Sequence, residues 1–256
     1  MRNLAFSVGL ALAVAGAVAG AVQPAQAQDR DQLVEAFAGE WFLFDPAFGD
    51  DGGTCALTLG RDAATMAADR MEASARGCGR AVGAVSAWTV EDGVLRLYDS
   101  TGGVRAELGG NQRRITGTLL PSELGVVIER AAGDGWSQDI ALAVQQHRCF
   151  FVGTTADCAT EDQLAAPAFP DTGPQVAEVT TLGNLLVRSQ PRRDAGEVGT
   201  IATGTCVRVN QCLVASDGLW CRARFGEITA WLAKVALRQE EWPIITFENG
   251  CEDSPS

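Results

Sequence analysis

Between residues 38 and 131 apolar positions recur in short runs, separated by turn-forming residues at regular spacing. Trp41 to Phe44 opens the series. Cys55-Ala56-Leu57-Thr58-Leu59 alternates apolar with small or polar, and Val85 to Val90 carries Trp88. Val94-Leu95-Arg96-Leu97 follows Glu91-Asp92-Gly93, a hairpin signal. Val104 to Leu108 alternates cleanly, Ile115, Gly117 and Leu119 share one face, and Val126 to Ile128 starts the last run. Ser100-Thr101-Gly102-Gly103 and Gly109-Gly110-Asn111 mark turns between them. The pattern predicts a small antiparallel barrel or sandwich. Ala63 to Ala75 is the exception: it lacks Gly and Pro and reads as a helical turn or a long loop.

Beyond residue 131 the pattern changes. In the extension 132–164, Ile140 to Gln145 reads as either a strand or a helix, and a local bridge between Cys149 and Cys158 is compatible with their spacing. Pro167, Pro170 and Pro174 punctuate a semi-rigid linker over 165–179. Strand signals resume over 180–238 at Leu185–Arg188, Glu197–Ile201, Cys206–Val209, Leu219–Ala223 and Ala230–Leu232, with Asp217-Gly218 as a tight-turn signal. This spacing predicts a small barrel, of a size at which disulfides help stability. Residues 239–256 read as a C-terminal tail.

The start of the chain adds an address. Arg2, the Ala- and Val-rich run from Leu4 to Val22, and Ala25-Gln26-Ala27 together read as a signal peptide over 1–27, cut so that the mature chain begins at Gln28. A membrane anchor is the rival reading, but no stop-transfer cluster of Lys and Arg follows the run. The eight cysteines, Cys55, Cys78, Cys149, Cys158, Cys206, Cys212, Cys221 and Cys251, all lie after it, an even count that points to disulfides in an oxidising compartment. A periplasmic or secreted location follows. The net charge of −12 sets the chain against nucleic acid and anionic lipid, so neither a nucleic-acid partner nor stable membrane insertion is expected.

Chemistry is sparse. No C-x-x-C occurs, and His147 is the single histidine, beside a cysteine expected in a bridge. Neither a nucleophile elbow nor a phosphate-cradling glycine loop is present. Glu91-Asp92 and Glu240-Glu241 read as solvated charge. The sequence therefore predicts no enzyme, no catalytic residues, no metal and no cofactor. Trp41 and Trp88 are expected in the core.

The series Ala38-Gly39-Glu40-Trp41, Cys55-Ala56-Leu57-Thr58-Leu59, Gly77-Cys78, Ala87-Trp88 and Gly93-Val94-Leu95-Arg96-Leu97-Tyr98-Asp99 resembles the AprI/Inh family of bacterial inhibitors of serralysin-type zinc proteases. The resemblance covers 38–131 and implies an eight-stranded lipocalin-like barrel, with Trp41 closing one end in the manner of the lipocalin G-x-W. It also implies a Cys55–Cys78 bridge, which stabilises by about 3 kcal/mol through loop-closure entropy. The implied partner is a secreted zinc metalloprotease, whose cleft receives the mature N-terminus. Over 28–37, Gln28, Asp29, Arg30, Asp31 and Gln32 are then a projecting trunk, and Leu33, Val34 and Phe37 are the apolar side of a short helix lying on the barrel. This trunk departs from the family's Ser- and Leu-rich one. Asp29 or Asp31 offers zinc a carboxylate if Gln28 cyclises.

Residues 180–238 resemble a bacterial SH3-like domain. Leu185-Leu186-Val187-Arg188-Ser189-Gln190-Pro191 is similar to the family's opening, Leu219-Trp220-Cys221-Arg222-Ala223 to a central strand, and Ala230-Trp231-Leu232 to Leu237 to the closing one. Gln190 and Ala230 replace the usual glycines. Cys212 and Cys221 flank the turn and can bridge across a hairpin, leaving Cys206 with Cys251. Such domains bind cell-wall glycan or peptide or serve as spacers or docking modules; Trp220 and Trp231 are candidates for a ligand groove, the other reading being that at least one of them is core. The whole reads as all-β, a lipocalin-like barrel followed by a small SH3-like barrel, disulfide-stabilised. Two functions compete: protease inhibition through the N-terminal trunk, and an envelope-associated binding or scaffold module with a non-inhibitory barrel.

Overall fold

A computed structural model describes residues 30–65, 67–131 and 135–251. Helix α1 (Arg30–Phe37) leads into eight strands: β1 (Gly39–Leu43), β2 (Cys55–Ala64), β3 (Ala67–Arg76), β4 (Val85–Glu91), β5 (Val94–Asp99), β6 (Val104–Gly110), β7 (Arg114–Leu119) and β8 (Leu124–Glu129). A one-turn helix, α2 (Arg80–Gly83), links β3 to β4. Each strand pairs antiparallel with the next, and β1 meets β8 at Phe42 and Glu129 to close the barrel. Trp41, Leu57, Trp88, Leu97, Ile115 and Val126 fill its interior, fully buried. The Glu91-Asp92-Gly93 signal is a two-residue hairpin with both Asp92 and Gly93 at positive φ, the turn whose twist suits paired strands.

The stretch 63–75 is neither helix nor loop. It is the end of β2 and most of β3, with Leu57 opposite Ala75, Leu59 opposite Ala73 and Ala63 opposite Met71. Alanine favours helix locally. Here Ala73, Ala75 and Met71 serve as inward-facing residues of a pleated wall, and pairing with β2 outweighs local preference. The Cys55–Cys78 bridge ties the open end of this hairpin.

Helix α3 (Gly135–His147) resolves the ambiguity at Ile140 to Gln145 in favour of a helix. There follow β9 (Phe151–Val152), α4 (Glu161–Leu164), β10 (Ala177–Thr181), β11 (Leu185–Arg188), β12 (Glu197–Ile201), β13 (Cys206–Ala215), β14 (Gly218–Phe225), β15 (Ile228–Ala233), β16 (Val235–Arg238), β17 (Trp242–Ile245) and β18 (Phe247–Asn249). Seven of these form one sheet, in the order β12-β11-β15-β14-β13-β10-β18, and three form another, β16-β17-β9.

The sheets reach beyond 180–238 in both directions. Strand β10 takes the end of the expected linker. The expected tail instead supplies β17 and β18, because Ile245 and Phe247 are wholly buried and Cys251 is bridged to Cys206. The extension before the linker joins this second half: Ile140 of α3 packs on Val235 and Ile245, with Val144 and Phe150 beside them. The remaining bridges are Cys149–Cys158 and Cys212–Cys221, and no described cysteine is free. Among the described residues no helix is long and apolar enough to cross a membrane.

Candidate functional site

The N-terminal end of the barrel is built around Trp41. Its ring is fully buried beneath α1 and stacks on Phe37 with centroids 6.3 Å apart. The Trp41 indole N–H donates to the Phe37 carbonyl at 2.8 Å, one of the carbonyls a helix end leaves unpaired. Leu33 and Val34 pack on the barrel core beside Phe37.

Arg130, just past β8, finishes the cap. Its guanidinium lies 4.1 Å over the Trp41 ring and donates to the carbonyls of Ala36, Phe37 and Ala38 at 3.2, 3.4 and 3.0 Å. A cation at a helix C-terminus also complements the helix dipole. Gly39 must turn out of the helix at φ 120°, and a Cβ there would meet the Arg130 Nη1 at 2.5 Å. The other end of α1 is held too. Arg30 donates to the Asp69 carbonyl of β3, and Glu35 pairs with Arg61 of β2 at 2.7 Å. The described chain therefore starts fixed beside the β2–β3 hairpin.

Of the five expected trunk residues, Arg30, Asp31 and Gln32 form the first turn of α1 rather than a free extension, because Arg30 finds its partner on the barrel wall. Gln28 and Asp29 lie outside the described residues, as does the expected signal segment 1–27.

The expected SH3-like groove is covered. Trp220 and Trp231 are 1% and 7% exposed and pack with Leu213, Ala215 and Ala233 against Val127 of barrel strand β8. A cavity of about 210 Å³ remains around Trp231, walled by both halves of the molecule. Sequence reasoning places these tryptophans on strands and does not anticipate that the barrel would occupy their face.

A buried charge cluster fastens the same contact. Arg114, 1% exposed, pairs with Glu129 and with Asp217, each at 2.7 Å, and donates to the Pro191 carbonyl at 3.0 Å. Asp217 also receives Arg193 at 2.7 Å and the Trp220 indole N–H at 3.0 Å. Glu129 accepts from the Ser216 backbone and hydroxyl, both at 2.7 Å. Burial pushes the Asp217 carboxyl up, but Arg193 and Arg114 outweigh it and hold it below the usual carboxylate range. Burial dominates at Glu129, whose carboxyl is raised despite Arg114 and Ser216.

Arg114 and Asp217 escape sequence reasoning because a charged residue next to a turn reads as solvated. Their neighbours in sequence carry no sign of the facing surface.

His147, the single histidine, packs in an aromatic cluster. Its ring lies 4.3 Å from Trp242 and 5.9 Å from Phe151, and its buried Nε2 has no hydrogen-bond partner. Among the described residues, the only sulfur- and carboxylate-bearing group tight enough to consider for a metal is Glu178 with Cys206 and Cys251. Both sulfurs are spent in a disulfide and present no thiolate. No family model matches this chain, and no curated protein matches it.

Proposed function

We propose that this protein is an exported inhibitor of a serralysin-type zinc metalloprotease, acting in the periplasm or outside the cell, with its mature N-terminus entering the protease cleft. The observation that supports this most is the two-ended anchoring of α1. Arg130 and Trp41 clamp its last turn, and Arg30 binds the barrel at its first. A terminus carried on a rigid wall loses little conformational freedom on entering a cleft, so more of the contact energy appears as affinity. The inhibitory piece is shorter than a five-residue trunk. It consists of Gln28 and Asp29 ahead of the helix, a length that can reach at most about 7 Å.

Strand β3 and its neighbours beside Arg30 supply the remaining contact surface, and the second half acts as a buttress through the Arg114 cluster. The test is inhibition of a serralysin-type protease by the chain beginning at Gln28. Removing Gln28 and Asp29 should abolish most inhibition while leaving the unfolding transition in place. An intact chain that leaves a panel of such proteases untouched would sink the proposal.

A further inference from the structure

The seam between the two halves does not close evenly. Arg222 of β14 lies directly opposite Trp231 of β15, with its guanidinium 5.9 Å over the ring. Cross-strand partners share a face of the sheet, so both look toward the barrel, which Trp231 meets at Val127. Beside that contact the cavity of about 210 Å³ opens. Thr116 and Thr118, two residues apart on one face of β7, line it from the barrel. Ser189, Gln190, Arg222 and Thr229 line it from the second half.

These polar groups are not used elsewhere. Among the described residues the hydroxyls of Thr116, Thr118, Ser189 and Thr229 have no hydrogen-bond partner, although Thr116 is only 3% exposed. The Gln190 amide oxygen accepts from Arg192 at 2.9 Å, which leaves its NH2 group. Arg222 gives its Nε to the Asn210 side chain at 2.9 Å and has no ion pair among the described residues. No described acidic residue lines the cavity, in a chain with 32 acidic and 20 basic residues. Burial, and after it Arg224, press the Arg222 guanidinium below the usual arginine range, while Glu123 pulls the other way without pairing with it. A partly buried cation among unused donors suits an anion.

The arrangement of the donors favours one class of anion. They come from three sides: β7 of the barrel, the segment after β11, and strands β14 and β15. A carboxylate offers two oxygens in one plane, whereas a phosphate group presents its oxygens around a tetrahedron. A neutral polyol would use the hydroxyls and leave the guanidinium uncompensated. The cavity is also smaller than the ~300–1,000 Å³ usual for drug-sized ligands, so the occupant is small.

We infer that this seam cavity binds a small phosphate, as the free ion or as a small monoester, with Arg222 as its charged anchor and the Thr116, Thr118, Ser189 and Thr229 hydroxyls and the Gln190 amide as further donors. Such a ligand touches both halves, so its binding also strengthens the contact between them.

The test is isothermal titration calorimetry of the full chain beginning at Gln28, with inorganic phosphate, glycerol 3-phosphate and glycerol in separate runs at constant ionic strength. One saturable phosphate site is expected. Tighter binding of glycerol 3-phosphate than of phosphate identifies a monoester, and equal or weaker binding identifies the free ion. Arg222→Gln should weaken binding about tenfold or more, the loss of one charge-assisted contact. Thr116→Val keeps the side-chain shape and removes only the hydroxyl. It should weaken binding about threefold or more while urea denaturation shows the fold intact, whereas a hydroxyl that only packs would leave the titration unchanged. Deleting Gln28 and Asp29 should leave phosphate binding unchanged, so this result stands apart from protease inhibition. Absence of saturable heat with either phosphate at millimolar concentration overturns the proposal. Binding that survives both substitutions, or glycerol binding as tightly as glycerol 3-phosphate, also overturns it.

Discussion

Single side chains set where this protein tolerates charge. Lys234 is fully buried, donates to the Asn249 side chain at 3.2 Å and sits 4.4 Å over the Phe247 ring. Burial lowers its pKa from 10.5 to about 8, against a smaller opposing pull from Glu248. The folded chain therefore binds fewer protons than the unfolded one between about pH 8 and 10.5. The contribution of Lys234 to stability rises with pH across that window and is least favourable below it. Lys234→Met should be more stable than the natural chain at pH 7, by up to a few kcal/mol, with the gain shrinking as pH approaches 10.5. Urea denaturation at several pH values reads this directly. A Met variant no more stable at pH 7 would show that Asn249 and Phe247 fully offset the burial.

Lys234 also illustrates why sequence reading misses such residues. In Trp231-Leu232-Ala233-Lys234-Val235 nothing local marks the lysine as buried. The strand that covers it, β18, comes from a segment that reads as a tail.

At the scale of elements, the contact between barrel strands β7–β8 and the β13–β14 hairpin depends on Arg114. Removing one partner of a buried ion pair leaves the others uncompensated, at a cost of about 3–5 kcal/mol. Arg114→Met leaves Glu129 to its Ser216 hydrogen bonds and Asp217 to Arg193 and Trp220, and because Glu129 loses its ion pair in a buried site, chemical denaturation should show a loss of that size. A loss under about 1 kcal/mol would mean that water or Arg193 replaces Arg114 without penalty.

Much of the element pattern was legible. Alternation predicted the barrel strands, Asp92-Gly93 marked a true two-residue hairpin, and Cys212 lies directly opposite Cys221 in the register of β13 and β14. The errors have two causes. Ala63 to Ala75 pairs within its own hairpin with β2, and its alanine-rich composition masked that pairing. Phe247 to Asn249 pairs with β10, and Trp242 to Ile245 pairs with β9 as well as with adjacent β16, so partners distant in sequence carried no local signal. The covering of Trp220 and Trp231 belongs to the same class, since Val127 lies about a hundred residues upstream of them.

For the whole molecule, the barrel and the β-rich second half share one buried contact, and four disulfides fasten their hairpins and termini. A body of this kind holds its first helix still, and the functional proposal depends on that property. What precedes Arg30 was read from the sequence alone. What the structure adds is the fixed platform from which that segment departs. The most direct measurement is an inhibition titration of a serralysin-type protease with two chains, one beginning at Gln28 and one carrying two extra residues, Gly-Ser, ahead of it. The account predicts stoichiometric inhibition by the first and a loss of about a hundredfold or more in the second, since an added dipeptide fills the space at the cleft. Equal inhibition by both chains, or none by either, would contradict it.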